Sequence, residues 1–229
     1  MATFSTFSTI LPDPSHRWGT AGEVSASTGS FGPGFKSVKL SSTDSLMRSK
    51  TNAQRLYRDV GSYHIWTIDI GYNPMACTEF NMLHAFLLFK QNTFTPFFVS
   101  LPQYAAQTTT DKTTNGNKVK GDSVILVDGS APTASEPGHV FKIGTETKLY
   151  EVTRVETSSE FFTPDGAPGA DQERIHFTPG LQKDVSSGTT ISFSDPMFYV
   201  VQIGGLQYSL DKDNLYSIPL KLEEVVDAQ

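Results

Sequence analysis

The stretch Ser62-Tyr63-His64-Ile65-Trp66-Thr67-Ile68-Asp69-Ile70-Gly71-Tyr72 decides the fold class. Successive residues of a strand point to opposite faces. His64, Trp66, Ile68, Ile70 and Tyr72 therefore share one face; Tyr63, Ile65, Thr67 and Asp69 share the other. The large apolar groups concentrate on the first face, which predicts a strand covered on one side. Upstream, Ser45 to Arg58 predicts a partner strand, with a turn at Asp59-Val60-Gly61. Phe35 to Leu40 alternates more weakly. The hairpin so formed is longer than the usual strand of about 5–6 residues. Long sheet borders need a cover.

Downstream, Thr78 to Gln91 predicts the one clear helix, with Thr78 as N-cap and Glu79 at the positive end of the dipole. Phe80, Leu83 and Leu87 form one stripe; Met82, Phe86 and Phe89 form the next. That apolar face is wide, so the helix is expected under a sheet or between subunits. Phe94 to Leu101 reads as a buried strand, with Pro96 pushing part of it to an edge.

Composition agrees with a β-rich chain. Of 229 residues, 24 are Ser and 25 are Thr, aromatics reach 11% and charged residues only 18%. This mix disfavours helical bundles and coiled coils. The net charge of −6 argues against sequence-specific binding of nucleic acid, which needs clustered Lys and Arg. The one cysteine, Cys77, excludes an intrachain disulfide, and Met1 to Ile10 lacks the basic and apolar regions of a signal peptide. The longest near-apolar run, Leu83 to Phe89, is far short of the roughly 20 residues that cross a bilayer. The expectation is synthesis in the cytoplasm and no membrane contact.

Residues 1–34 read as an arm. Its Trp18, Phe4, Phe7 and Phe31 are expected to dock on a neighbouring surface. The character of the chain changes at 106. Gln107 to Gly121 is polar and reads as a loop. Short strands follow at Ser123 to Val127, His139 to Ile143, Lys148 to Val155, Arg174 to Phe177 and Thr189 to Phe193, punctuated by Gly and Pro turns. Five strands at this spacing predict a small β-barrel. Longer strands return at Met197 to Ile203 and Leu215 to Leu222. The domain reading is an arm (1–34), a core domain (35–105 with 195–229) and an inserted barrel (106–194).

No catalytic, cofactor or metal constellation emerges. His16, His64, His84, His139 and His176 show no metal-ligand spacing, although Asp171 and Glu173 precede His176. Asp122-Ser123 lacks the strand–turn–helix context of a nucleophilic serine, so a hydrolase reading has little support. The aromatics of a Ser/Thr-rich β chain leave a carbohydrate-binding or receptor-binding module as an alternative. Arg48, Lys50, Arg55 and Arg58 have only Asp59 nearby to balance them, and read best as an inter-subunit strip meeting acids of the C-terminal segment. With the aromatics Trp18, Trp66, Phe80 and Phe86 they are the candidate inter-subunit residues.

The order of motifs resembles the distal-tail or baseplate-hub proteins of tailed bacteriophages. The likeness runs from Met47-Arg48-Ser49-Lys50 and Gln54-Arg55 through His64-Ile65-Trp66-Thr67-Ile68, Tyr72-Asn73-Pro74-Met75, Phe80 and Ala85-Phe86-Leu87 to Phe97-Phe98 and Leu101-Pro102. It continues through Pro137 to Gly144, Lys148 to Thr153, Ile175 to Leu181 and Asp195-Pro196, so about residues 35–205 take part. The resemblance implies a mainly β, tube-like sandwich or barrel with one α-helix, carrying an inserted small β-barrel. It implies a structural virion protein without enzyme activity or cofactor. Such a protein would form a sixfold or threefold homo-oligomeric ring at the end of the tail tube, in contact with tail tube and baseplate or hub proteins.

Overall fold

The computed structural model describes residues 9–18, 24–25, 30–50, 56–105, 107–129 and 134–225; at 17–18, 24–25, 30, 44–50, 56–63 and 92–93 the description is of the backbone alone. The chain forms two compact units, residues 1–101 with 198–229, and residues 102–197.

In the first unit, β1 (Arg17–Trp18), β2 (Val24–Ser25) and β3 (Ser30–Phe31) make a small antiparallel sheet with β1 in the middle. Then come β4 (Phe35–Lys50), β5 (Leu56–Tyr72), helix α1 (Cys77–Thr93) and β6 (Phe97–Ser100). The second unit contributes the short helix α2 (Pro102–Ala105) and strands β7 (Lys112–Thr114), β8 (Val124–Asp128), β9 (Val140–Ile143), β10 (Leu149–Glu156), β11 (Gln172–Thr178) and β12 (Thr190–Ser192). Strands β13 (Met197–Gln202), β14 (Ser209–Leu210), β15 (Tyr216–Ser217) and β16 (Pro219–Glu224) complete the chain. The main sheet runs β4-β5-β16-β13-β6, so β13 and β16 return across the long excursion to sit between β5 and β6.

The alternation of β5 holds from Trp66 to Tyr72, whereas Ile65 on the other face is buried too. Ile68 and Ile70 are buried with Trp66 and Tyr72, while Thr67 and Asp69 are half-buried. Leu220 and Leu222 stand beside Ile70 and Ile68 in the same sheet, and they, Phe198, Val200 and Leu83, Phe86 and Leu87 of α1 are buried in the same unit. Phe86 meets Phe97 of β6 edge-to-face at 5.4 Å. The helix starts two residues earlier than an N-cap at Thr78 would place it. Ala76 is its N-cap, without a side-chain hydrogen bond, and Phe94 closes it in the left-handed region at φ 48°. The strand after Pro96 begins at Phe97 and lies at the sheet edge.

The hairpin itself differs from the expectation. Its first strand is β4, from Phe35 to Lys50, and the chain reverses between Lys50 and Leu56, not at Asp59-Val60-Gly61. Asp44 pairs with His64 and Leu46 with Val60, which leaves three residues of β5 against one of β4. Gly61 is thus absorbed in a bulge inside a continuous strand, a use of mid-strand glycine that looks like a turn in sequence.

The second unit is a closed barrel, β10-β11-β8-β7-β12-β9. It has six strands where the sequence predicts five. The sixth, β7, lies in the polar stretch read as loop, because its Lys-Thr-Thr sequence carries no apolar alternation. Phe141 anchors the core, with Tyr150, Phe177 and Phe193 at 5.7, 5.6 and 5.3 Å between ring centroids.

Candidate assembly surface

β4 and β5 outrun the rest of their sheet. β16 accompanies β5 from Gly71 only as far as Thr67, whereas β4 pairs with β5 down to Lys50 and Leu56. Beyond Thr67 the hairpin is a two-stranded ribbon. On its outer side β4 has no strand partner among the described residues. Such an edge presents a row of open N–H and C=O groups, the natural template for another chain.

The register sharpens the basic strip. Arg48 stands directly opposite Arg58, and two residues on, Lys50 opposes Leu56. Like charges facing one another across a ladder cost about 0.2–1 kcal/mol. Ser49 opposes Tyr57 at the intervening position, and Asp59 pairs with Met47 on the other side of Arg48. The positions suit an acidic surface brought from elsewhere. The side chains of Arg48, Lys50 and Arg58 lie outside those described, and Arg55 lies outside the described residues altogether.

The opposite border is sealed. Ile10 bridges Phe98 in parallel, Leu11 N–H donates to Phe98 O at 2.8 Å, and Phe98 N–H donates to Thr9 O at 2.7 Å. The arm thus bridges β6 at Phe98. Leu11 is fully buried, and Tyr72 Oη–H donates to Pro12 O at 3.0 Å. Burial, and secondarily the charge of Asp13, push the Tyr72 phenol well above its usual pKa. Asp13 Oδ1 in turn accepts from Ser15 and His16 N–H at 2.7 and 2.9 Å. Gly32 passes so close that a Cβ there would stand 2.5 Å from Asp13 N, so only glycine fits. Residues 9–13 cover their own chain; of the arm aromatics expected to dock on a neighbour, Phe31 is 51% exposed, and Phe4 and Phe7 lie outside the described residues. Trp18 lies where only backbone is described.

Three candidate inter-subunit aromatics are also spent at home. Trp66 is 4% exposed and meets Phe198 edge-on at 6.2 Å. Phe80 stacks on Tyr216 at 4.0 Å. Phe86 is fully buried, with Lys90 Nζ 5.6 Å from its ring centre; burial pushes the Lys90 pKa down.

In the barrel, sequence reasoning missed a polar pattern. Glu173, Ile175 and Phe177 share the inward face of β11, while Arg174 and His176 face outward. Glu173 and His176 therefore do not meet. Glu173 pairs with Lys112 of β7 at 3.4 Å, both side chains fully buried, and Lys112 Nζ also donates to Gly129 O at 2.9 Å. The signal was available: an acid in phase with two large apolar residues. His176 turns instead to Glu156, whose carboxylate accepts from its Nε2 at 3.0 Å, from Arg174 at 2.7 Å and from Arg154 at 2.9 Å. Burial alone raises the Glu156 pKa, but Arg174, His176, the Phe162 N–H and Arg154 together outweigh it, so the carboxyl titrates below its usual range.

A carboxyl held down in the folded state adds stability above its ordinary pKa of about 4.3, and loses it as pH falls through the folded value. Glu156→Gln is accordingly expected to destabilise the chain at pH 7 by about 1–3 kcal/mol, with the deficit shrinking below pH 4. Urea denaturation of both proteins across this range checks it; a pH-independent deficit would mean that charge is not the cause.

Among the described residues, no group of three or more His, Cys, Asp or Glu is placed to hold a metal ion. No described helix is long and apolar enough to cross a membrane. Asp122 Oδ2 accepts from Val119 N–H, and Ser123 leads directly into β8, a turn-to-strand context unlike a nucleophile elbow.

Comparison with known proteins bears on these surfaces. Residues 26–104 match the family model described as Distal tail protein pb9, A domain, N-terminal. The distal tail protein pb9 of Escherichia phage T5 is 27% identical over 175 residues, covering 70% of this chain and 86% of that protein. The 26–104 match takes in the arm's end, the hairpin, α1 and β6, the elements that carry the open edge and its sealed counterpart.

Proposed function

We propose, from a resemblance to the distal tail proteins of tailed phages that gives this chain a structural role in a virion tail, that it forms a homo-oligomeric ring at the distal end of the tail tube and anchors the baseplate or tail-tip hub. One observation carries the reading: a long, basic, half-unpaired hairpin on one border of the sheet, with the other border closed by the chain's own arm. Two β4 edges pairing with each other would make a twofold dimer and stop. A ring needs each β4 edge to meet a different surface of the next copy. The residues from Asp195 onward hold two bases against six acids and supply the complementary charge for Arg48, Lys50, Arg55 and Arg58. Sixfold or threefold closure, tail tube and hub neighbours, and an inserted barrel directed toward them complete the proposal.

Native mass spectrometry of the full chain tests it. One closed stoichiometry of six or three is expected at micromolar concentration. The Arg48→Glu/Arg58→Glu variant is expected to shift toward monomer by at least tenfold in apparent dissociation constant, with an unchanged melting temperature. A parent that stays monomeric at high concentration and does not enter virions overturns the reading.

A further inference from the structure

The barrel of the second unit leaves one strand half-paired. β10 pairs with β11 along Glu151–Glu156 but with β9 only along Leu149–Glu151. Gly138 N–H and His139 O then hold Val152 from the β9 side, at 2.7 and 2.8 Å. Past that point the register shifts between Val152 and Arg154, and Thr153–Val155 have a strand partner on one side alone among the described residues. Bulges of this kind sit next to sites where a strand is re-aimed.

The same three residues line a cavity of about 590 Å³ together with Ala134, Ser135 and Pro137, the connection that runs back from Gly138. Glu160 and the 37%-exposed Phe161 border it. Its inner feature is Ser135, 5% exposed, whose Oγ has no hydrogen-bond partner among the described residues. Its backbone is anchored: the Ser135 N–H donates to buried Glu173 Oε2 at 3.2 Å. A buried hydroxyl without a partner is a rarity that calls for an occupant.

Charge limits the occupant. Between Pro102 and Met197 there are eight bases and thirteen acids. Arg154, half-exposed in the lining, shares the Glu156 carboxylate with Arg174 and His176, and Glu160 is the acid of the border. A polyanion would be repelled. An open strand edge offers a ladder of backbone groups, which a peptide backbone matches and a sugar does not.

We propose that this slot takes an extended, neutral or basic peptide segment of a neighbouring tail protein, added as a strand beside Thr153–Val155. The inference rests on the chain's structural role in a tail, and goes beyond ring formation to a second, separate contact.

The test uses the full chain and two blocked, dye-labelled hexapeptides, TVTKVT and TVTEVT, followed by fluorescence anisotropy, with hydrogen exchange to locate binding. An N-acetylglucosamine hexamer is the third probe. The lysine peptide is expected to bind at least tenfold more tightly than the glutamate peptide and to slow exchange at Thr153–Val155 and Ser135. Phe161→Ala, at the exposed border, is expected to weaken binding about fivefold, the scale of one lost rim contact, without changing the melting temperature. No protection by either peptide up to millimolar concentration overturns the proposal, as does protection by the sugar alone. A ring that forms normally while the slot stays silent overturns this inference and leaves the ring standing.

Discussion

Leu83→Asp is expected to unfold the first unit. Leu83 is fully buried on α1, in the core shared with Phe86, Leu87 and the sheet. Removing a buried leucine side chain costs about 2–5 kcal/mol, and the carboxylate adds the cost of burying a charge. The total, more than about 4 kcal/mol, approaches the 5–15 kcal/mol that typically holds a domain together. Leu88, the next-but-four residue along the helix from His84, is 38% exposed, and Leu88→Asp is expected to cost less than about 1 kcal/mol. Both substitutions introduce the same charge in the same helix, so the difference isolates burial. Urea denaturation followed by circular dichroism measures it. Equal midpoints for the two variants would mean that α1 is not a core helix.

The second large effect belongs to the barrel. Lys112→Met removes one partner of a fully buried ion pair and leaves Glu173 charged among Ile175 and Phe177, where the Ser135 N–H still donates to it. Breaking a buried pair from one side costs about 3–5 kcal/mol. The double variant Lys112→Met/Glu173→Leu removes both charges, and is expected to recover most of that loss or all of it, because desolvation of the pair cancels much of its attraction. A double variant as unstable as the single one would show that the ion pair holds the barrel by something other than mutual compensation. The comparison also separates stability from specificity: the pair joins β7 to β11 across β8, which lies between them in the barrel.

These two sites mark how much the sequence discloses. Leu83 is legible as core because a helix repeats its faces every three or four residues, and Phe80, Leu83 and Leu87 keep that period. The inward row of β11 is legible as Ile175 and Phe177, and Glu173 stands in the same phase. What the pattern does not say is that an acid in phase has a partner, since Lys112 lies 61 residues away in a polar stretch without alternation. The whole of β7 escapes notice for that reason. Its strand character comes from the neighbours that close the barrel around it, not from its own residues. The mistaken turn at Asp59-Val60-Gly61 has the related cause that glycine serves bulges and turns alike, and only the facing strand distinguishes them.

The candidate surface divides in the same way. Four bases close together in the hairpin are visible by inspection. That Arg48 faces Arg58 depends on where the chain reverses, one register decision for the entire ribbon. The aromatics Trp66, Phe80 and Phe86 have the look of interface residues, and the fold spends them on its own core.

Sequence alone determined the inward face of α1 and of β5 from Trp66 to Tyr72, because periodicity of 2 or 3.6 is a local property of the backbone and needs no partner. Tertiary structure decided which borders are shut and which stay open. Thr9–Leu11 close β6, β16 stops short along β5, and the Trp66 N–H reaches Glu224 Oε2 across 158 residues of chain. Pairings so distant are settled by the competition of every strand for every other strand's hydrogen bonds, and that competition is resolved only when the whole chain has folded.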